Sequence, residues 1–63
     1  MKMKLRAARE ASGKTQAQVA GMAGISVYHY QNIEYGKALP NVQTAIRIAR
    51  ALKSTVEALF SDD

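Results

Sequence analysis

Apolar residues recur along this chain at helical spacing, in short stretches that glycines and one proline separate. Gly13, Gly24, Gly36 and Pro40 divide the sequence, and a capping residue opens each following stretch. No stretch alternates cleanly between apolar and polar residues, as a half-buried strand would. The pattern therefore predicts an all-α domain of five short helices that spans residues 1–63.

The first helix is predicted from about Met3 to Ser12, where Gly13 ends it with a left-handed cap. Leu5, Ala8 and Arg9 share one side of this helix. The second helix opens at Thr15, because Thr15-x-x-Gln18 has the form of a capping box. Its predicted buried side consists of Val19, Ala20 and Ala23.

The last three helices have their own start and stop signals. Ser26 is predicted to cap the third helix, which runs to about Tyr35 and is closed by Gly36. Asn41 is predicted to cap a fourth helix, whose apolar residues at helical spacing are Val42, Ala45, Ile46, Ala49 and Leu52. Ser54-x-x-Glu57 is interpreted as a second capping box, opening a short helix that ends with Leu59 and Phe60.

The second and third helices are predicted to form a helix-turn-helix unit over about residues 15–35. The turn Gly24-Ile25-Ser26 is so short that the two helices must cross steeply. Ala20 is small where the helix backbones approach each other. Ile25 and Ile33 supply apolar contacts to the core, so the spacing and the residue types together favour this motif.

One face of the third helix has the chemistry expected of a DNA-reading surface. With Ile33 at the centre of the buried side, Tyr30 lies beside it in the core, and Tyr28, Gln31 and Asn32 point the other way. Asn and Gln amides can pair bidentately with adenine. Val27, on the flank, is suited to contact a thymine methyl, and Tyr28 to contact the same group or a phosphate.

Other residues of this unit are candidates for phosphate contacts, which do not discriminate between bases. Gln16 begins the second helix, where a side chain and backbone N–H groups can hold a phosphate. His29 is interpreted as a flank residue, near a phosphate or packed against a neighbour. The alternative for Gln31 and Asn32 is that they are ordinary solvated amides, and the helix-turn-helix context favours the DNA-binding interpretation.

The composition agrees with a nucleic-acid partner and removes several other classes. Nine Lys and Arg against five Asp and Glu give a net charge of +4, which suits a polyanion but is not specific to one. There is no cysteine, and a single histidine cannot build a metal site, so no metal or cofactor is expected. No catalytic constellation, signal peptide or membrane span is evident, which predicts a non-enzymatic cytoplasmic protein with no small-molecule ligand.

The sequence resembles the Cro and phage-repressor family, also called XRE-type, from about Leu5 to Phe60. The resemblance implies a five-helix, lambda-repressor-like DNA-binding domain that docks its third helix in the major groove. It further implies two copies on a near-palindromic operator. The residues that carry the resemblance are Thr15-Gln16, Val19-Ala20, Ala23-Gly24-Ile25-Ser26, Ile33-Glu34-Tyr35-Gly36-Lys37, Pro40, Ala51-Leu52 and Val56-Glu57-Ala58-Leu59-Phe60.

The resemblance also implies roles for individual residues. The phosphate clamp falls on Gln16, the base-reading positions on Val27, Tyr28 and Asn32, and Gln31 is their neighbour. Phosphate contacts after the third helix fall on Tyr35 and Lys37. The complete predicted DNA-binding set is Thr15, Gln16, Ser26, Val27, Tyr28, His29, Gln31, Asn32, Tyr35 and Lys37.

The family also pairs an arginine of helix one with a glutamate at the end of helix three, which here are Arg9 and Glu34. The alternative is that both are surface charges. Five positions depart from the family pattern. Lys14 replaces an apolar residue, Tyr30 a smaller aliphatic one and Ala8 a larger one, and Val27 and Tyr28 replace the polar base-reading residues often seen in the family.

Two functions stay open at this stage. The first is an operator-binding repressor that occludes polymerase, pairing around the fourth and fifth helices, here Lys53 to Leu59. The second is an antitoxin or another protein-interaction module that shares the fold. Only Ser61, Asp62 and Asp63 follow the last predicted helix, which offers no obvious segment for masking a toxin.

Overall fold

The computed structural model describes residues 2–61, and five α-helices account for all regular structure in that range. This confirms the predicted all-α fold and its helix count. The first and third helices each end one residue earlier than expected, with Ser12 and Tyr35 as their C-caps. The helices are α1 Met3–Ala11, α2 Gln16–Ala23, α3 Val27–Glu34, α4 Val42–Ala51 and α5 Val56–Phe60.

A side-chain oxygen caps the N-terminus of every helix from α2 to α5 by accepting the backbone N–H three residues later. The predicted box at Thr15 is present in both directions: Thr15 Oγ1 accepts from Gln18 N–H at 3.1 Å, and Thr15 N–H donates to Gln18 Oε1 at 2.8 Å. The predicted caps Ser26 and Asn41 are also confirmed, at 3.0 and 2.7 Å.

The second predicted capping box, Ser54-x-x-Glu57, is wrong. The N-cap of α5 is Thr55, whose Oγ1 accepts from Ala58 N–H at 3.0 Å. Ser54 is unavailable because its backbone N–H still closes α4, donating to the carbonyl of Ala49 at 2.8 Å. Thr55, one residue later, has the extended backbone that an N-cap requires.

The four longer helices end in the same way. In each, a left-handed residue follows the helix, and two backbone N–H groups fold back onto carbonyls of the last turn, the hydrogen bonds of a Schellman motif. Gly13, Gly24 and Gly36 occupy the left-handed position after α1, α2 and α3. Lys53 occupies it after α4 with φ +53°, a conformation that costs a side-chain-bearing residue free energy.

The core lies between α2, which contacts both α3 and α4, and α1, which contacts α3 and α5. The predicted buried side of α2 is confirmed, as is the burial of Tyr30 and Ile33 on α3. On α1, Leu5 is fully buried, and Ala8 and Arg9 are half-buried on the same side. The buried apolar cluster is Leu5, Val19, Ala20, Ala23, Tyr30, Ile33, Ile48, Ala49, Ala51, Leu52 and Leu59.

The apolar residues of α4 do not all face this core. Val42 is 77% exposed and Ile46 39% exposed, whereas Ile48 is fully buried. Residues three or four positions apart share one side of a helix, so the spacing alone groups Ala45 and Ala49 with Val42 and Ile46 as readily as with Ile48. Contact with α2 and α5 buries the side that contains Ala45, Ile48 and Ala49. Val42 is therefore left on the surface.

Contacts of the chain's N-terminal part hold α1 to the rest of the domain. The backbone N–H of Lys2 donates to the carbonyl of Glu34 at the end of α3, at 2.8 Å. Lys4 Nζ donates to Ser61 Oγ, just after α5, at 3.0 Å. Within residues 2–61, no helix has the length and apolar character needed to cross a membrane.

Candidate nucleic-acid interface

The turn between α2 and α3 has the short form predicted for a helix-turn-helix. Gly24 adopts φ +73°, and its N–H and that of Ile25 close α2 by bonding to Gly21 and Ala20. Ile25 is half-buried against the core, and Ser26 at once caps α3. Because only three residues separate the helices, α3 is held rigidly against α2.

The outer face of α3 presents an aromatic ring, an aliphatic group and an amide. Tyr28 is 74% exposed, and Val27 and His29 are also exposed. Asn32 is half-buried, and its side-chain amide has no hydrogen-bond partner among residues 2–61. Such an amide keeps its donors and acceptor for a ligand. Gln31, also half-buried, is in a different situation because it is already bonded within the protein.

Four side chains form one hydrogen-bonded network beneath this face. Arg9 donates to Glu34 through two nitrogens, Nε to Oε2 at 2.8 Å and Nη2 to Oε1 at 3.0 Å. Gln16 Nε2 donates to Glu34 Oε1 at 3.3 Å. Gln31 Nε2 donates to Gln16 Oε1 at 3.1 Å. The ion pair predicted between Arg9 and Glu34 is therefore present, and the network joins α1, α2 and α3.

The network keeps Glu34 ionised in a buried position. Burial by itself would raise the pKa of Glu34, but the hydrogen bond from Arg9, with smaller contributions from neighbouring groups, outweighs it and lowers the pKa. The hydrogen bond to Glu34 in turn raises the pKa of Arg9. Glu34 is the only acid of α3, and Arg9 neutralises it, so the helix presents no uncompensated negative charge to a polyanion.

Tyr30 lies beside this network. The ring is fully buried, and its hydroxyl makes no well-formed hydrogen bond within residues 2–61. Burial, supported by the adjacent Glu34 carboxylate, raises the pKa of Tyr30 above its ordinary value. The hydroxyl is thus neutral and buried, with the Glu34 carboxylate as an adjacent acceptor.

The predicted phosphate-contacting residues lie around the two helices of the motif. Thr15 and Ser26 use their hydroxyl oxygens as helix caps, which leaves each hydroxyl proton available to a phosphate. Tyr35 and Lys37 are exposed after α3, where the backbone N–H of Lys37 closes the helix onto Asn32 at 2.8 Å. Gln16 is half-buried at the first position of α2.

Two features of this region were not predicted from the sequence. The first is the contact between Gln16 and Gln31, which are 15 residues apart. The second is Arg47 of α4, whose Nη1 would lie 3.5 Å from a Cβ atom at Gly24. This exposed cation therefore sits beside the turn, and no local pattern in the sequence indicated it. Among the described residues, no group of His, Cys, Asp and Glu side chains could hold a metal ion.

Comparison with known proteins agrees with this geometry. A helix-turn-helix family model matches residues 5–59, and the chain belongs to the helix-turn-helix family of the Cro and phage-repressor type. The cryptic phage CTXphi transcriptional repressor RstR of Vibrio cholerae serotype O1 is 43% identical over 61 residues. That match covers 94% of this chain and 54% of the relative, so the chain spans about half the relative's length.

Two solved structures have the same fold. The restriction-modification controller protein C.AhdI of Aeromonas hydrophila matches with a TM-score of 0.84 and 26% identity, over 92% of this chain and 88% of that chain. The P22 c2 repressor protein, solved in complex with synthetic operator 9T, matches with a TM-score of 0.85 and 25% identity, over 94% and 89%.

Proposed function

We propose that this chain is a sequence-specific DNA-binding repressor of bacterial, phage or mobile-element transcription, which reads the major groove with α3. One observation carries the proposal. On a helix held rigidly by a helix-turn-helix, Tyr28 is exposed and the Asn32 amide has no partner among residues 2–61, while Arg9 neutralises the only acid of that helix. The relative named a transcriptional repressor, and the repressor solved with an operator, support the same function.

The residues divide into two roles. Asn32 is proposed to pair with an adenine edge, with Val27 and Tyr28 contacting thymine methyl groups beside it. Thr15, Gln16, Ser26, His29, Tyr35 and Lys37 are proposed to contact phosphates and sugars, which sets the register without reading sequence. Repression would follow from occluding polymerase in the cytoplasm, with no reaction catalysed.

The proposed binding unit is a homodimer on a near-palindromic operator. Reading helices of such a pair lie about 34 Å apart, one turn of DNA. The Cα extents of this domain are 24 × 23 × 19 Å, and side chains extend beyond them, which is compatible with contact between adjacent copies. Leu39, Val42 and Val56 are exposed and, with Pro40 and Phe60, line an apolar groove of about 280 Å³ beside α4 and α5. A second copy is proposed to cover it.

The DNA-binding proposal is tested by selecting bound sequences from a random duplex library. We expect a short, nearly symmetric consensus, and tighter binding to it than to a scrambled duplex at every salt concentration. Binding that ignores sequence and only weakens as salt rises would contradict the proposal.

The dimer is tested by the cooperativity of binding to one and two half-sites. Val42→Gln, in the groove, should bind a single half-site as the wild type does and lose cooperativity on two. Met22→Gln replaces an exposed apolar residue of α2, outside the groove, and should retain it. Equal cooperativity in both variants would exclude this surface.

A further inference from the structure

The Arg9–Glu34 ion pair determines which atom of the Gln16 amide donates a hydrogen bond and which atom accepts one. An ionised carboxylate only accepts, so the side of the Gln16 amide that faces Glu34 must be its NH₂ group. The Gln16 carbonyl oxygen is then turned toward α3. Because that oxygen only accepts, Gln31 must present its own NH₂ group to it, at 3.1 Å.

This arrangement fixes both amides of the network before any ligand arrives. Gln16 is held from two sides, by Glu34 on α3 through its nitrogen and by Gln31 through its oxygen. Its NH₂ group has a second N–H, which remains available to donate. A glutamine with its rotamer already fixed loses less side-chain entropy when it binds a phosphate oxygen.

The two side-chain amides of α3 differ in their hydrogen bonding. The side-chain amide of Asn32 has no hydrogen-bond partner in residues 2–61, so both edges of this amide are open to a base. Gln31 already donates to Gln16, and turning its amide toward a base would release that glutamine. The helical wheel placed both side chains on one face, and the family resemblance named only Asn32 as a base-reading position, with Gln31 as its neighbour.

We propose that Gln31 is a positioning residue, which holds the Gln16 amide for its phosphate contact and does not itself discriminate between base pairs. This inference rests on the proposed function, since it assigns the roles of two residues within that binding site. It differs from the sequence-based expectation, in which Gln31 belonged to the base-reading face.

The test is a double-mutant cycle measured on DNA. Gln31→Met and Gln16→Met keep the side-chain length and remove the amides, and the double variant combines them. Affinities are measured by fluorescence anisotropy on the duplex that the wild type selects, well below the melting temperature of each variant. Each variant also undergoes the random-library selection.

If Gln31 acts through Gln16, each single variant should bind about three- to tenfold more weakly, the range expected for one hydrogen bond. The double variant should lose no more than Gln16→Met alone, because Gln31 has nothing left to position. The selected consensus should be the same for all, since phosphate contacts weaken binding almost uniformly across sequences.

Three results would overturn the inference. A Gln31→Met consensus that is relaxed at one base pair would show that Gln31 reads a base. Affinity losses that add in the double variant would show that the two residues act independently. An affinity of Gln31→Met equal to that of the wild type would show that its contact with Gln16 does not matter for binding. The proposed function fails separately, if the wild type selects no consensus at all.

Discussion

Replacing Arg9 by methionine tests the ion pair that joins α1 to the reading helix. The side chain of Glu34 is 1% exposed and that of Arg9 13% exposed, so the substitution leaves a buried carboxylate without its cationic partner. Removing one partner of a buried pair costs about 3–5 kcal/mol. Arg9 keeps some solvent contact, so we expect the lower end, about 3 kcal/mol.

That loss is large for a chain of 63 residues. At the usual 0.05–0.15 kcal/mol per residue, the whole domain is stable by about 3–9 kcal/mol. A loss of about 3 kcal/mol should lower the melting temperature by about 12–24 °C in a domain of this size. Thermal and urea unfolding followed by circular dichroism at pH 7 measure both quantities.

The control is the double variant Arg9→Met, Glu34→Met, in which no charge is left unpaired. Replacing a buried ion pair with apolar residues is often neutral or stabilising, so this variant should melt well above Arg9→Met alone. An Arg9→Met protein that melts within about 2 °C of the wild type would refute the reasoning. A double variant no more stable than the single would refute it as well.

The same ion pair predicts how the stability of the folded domain changes at acidic pH. The pKa of Glu34 is lowered in the folded protein, so its stabilising contribution is present above its ordinary value of 4.5 and is lost as the pH falls through the folded value. The wild type should therefore lose stability below about pH 4.5 more steeply than the double variant. Parallel profiles would contradict this.

Four further substitutions test the backbone and the core. Gly24→Ala should destabilise the domain by about 1–2 kcal/mol, because the backbone of Gly24 has a φ of +73°. Gly21→Ala, in α2 with open space around it, should stabilise the domain by about 0.5–1 kcal/mol. Equal shifts of the melting temperature in the two variants would refute this. Tyr30→Phe removes a buried hydroxyl that has only the adjacent Glu34 carboxylate as an acceptor and makes no well-formed hydrogen bond within residues 2–61, so urea unfolding should show a change of less than about 1 kcal/mol in stability. A larger loss would show that the hydroxyl holds Glu34. Lys53→Gly relieves φ +53° and should raise the melting temperature, and a lowered one would oppose that account.

Local signals in the sequence predicted the helices well. The box at Thr15 and Gln18 was found because every atom that it needs lies within one helical turn. The same reasoning failed at Ser54, since the left-handed turn at Lys53 commits the backbone of Ser54 to closing α4. On α4, periodicity could not tell which of two overlapping apolar sides the neighbouring helices would cover.

The site was predicted less completely, because its contacts join distant parts of the chain. The Arg9–Glu34 pair spans 25 residues and was expected only from the family resemblance. The contact between Gln16 and Gln31 depends on how α2 docks against α3, and nothing in the spacing of two glutamines indicates it. The helical wheel placed Gln31 and Asn32 together, whereas in the structure Gln31 bonds to Gln16 and the Asn32 amide has no partner within residues 2–61.

The central claim is that α3 reads base pairs, and repeating the library selection with Asn32→Ala tests it most directly. Gln43→Ala, which removes an exposed amide from α4, is the matched control. We expect Asn32→Ala to lose its preference at one base pair in each half-site, at symmetric positions, while Gln43→Ala selects the wild-type consensus. An Asn32→Ala consensus identical to that of the wild type would contradict the assignment of Asn32 as a base reader.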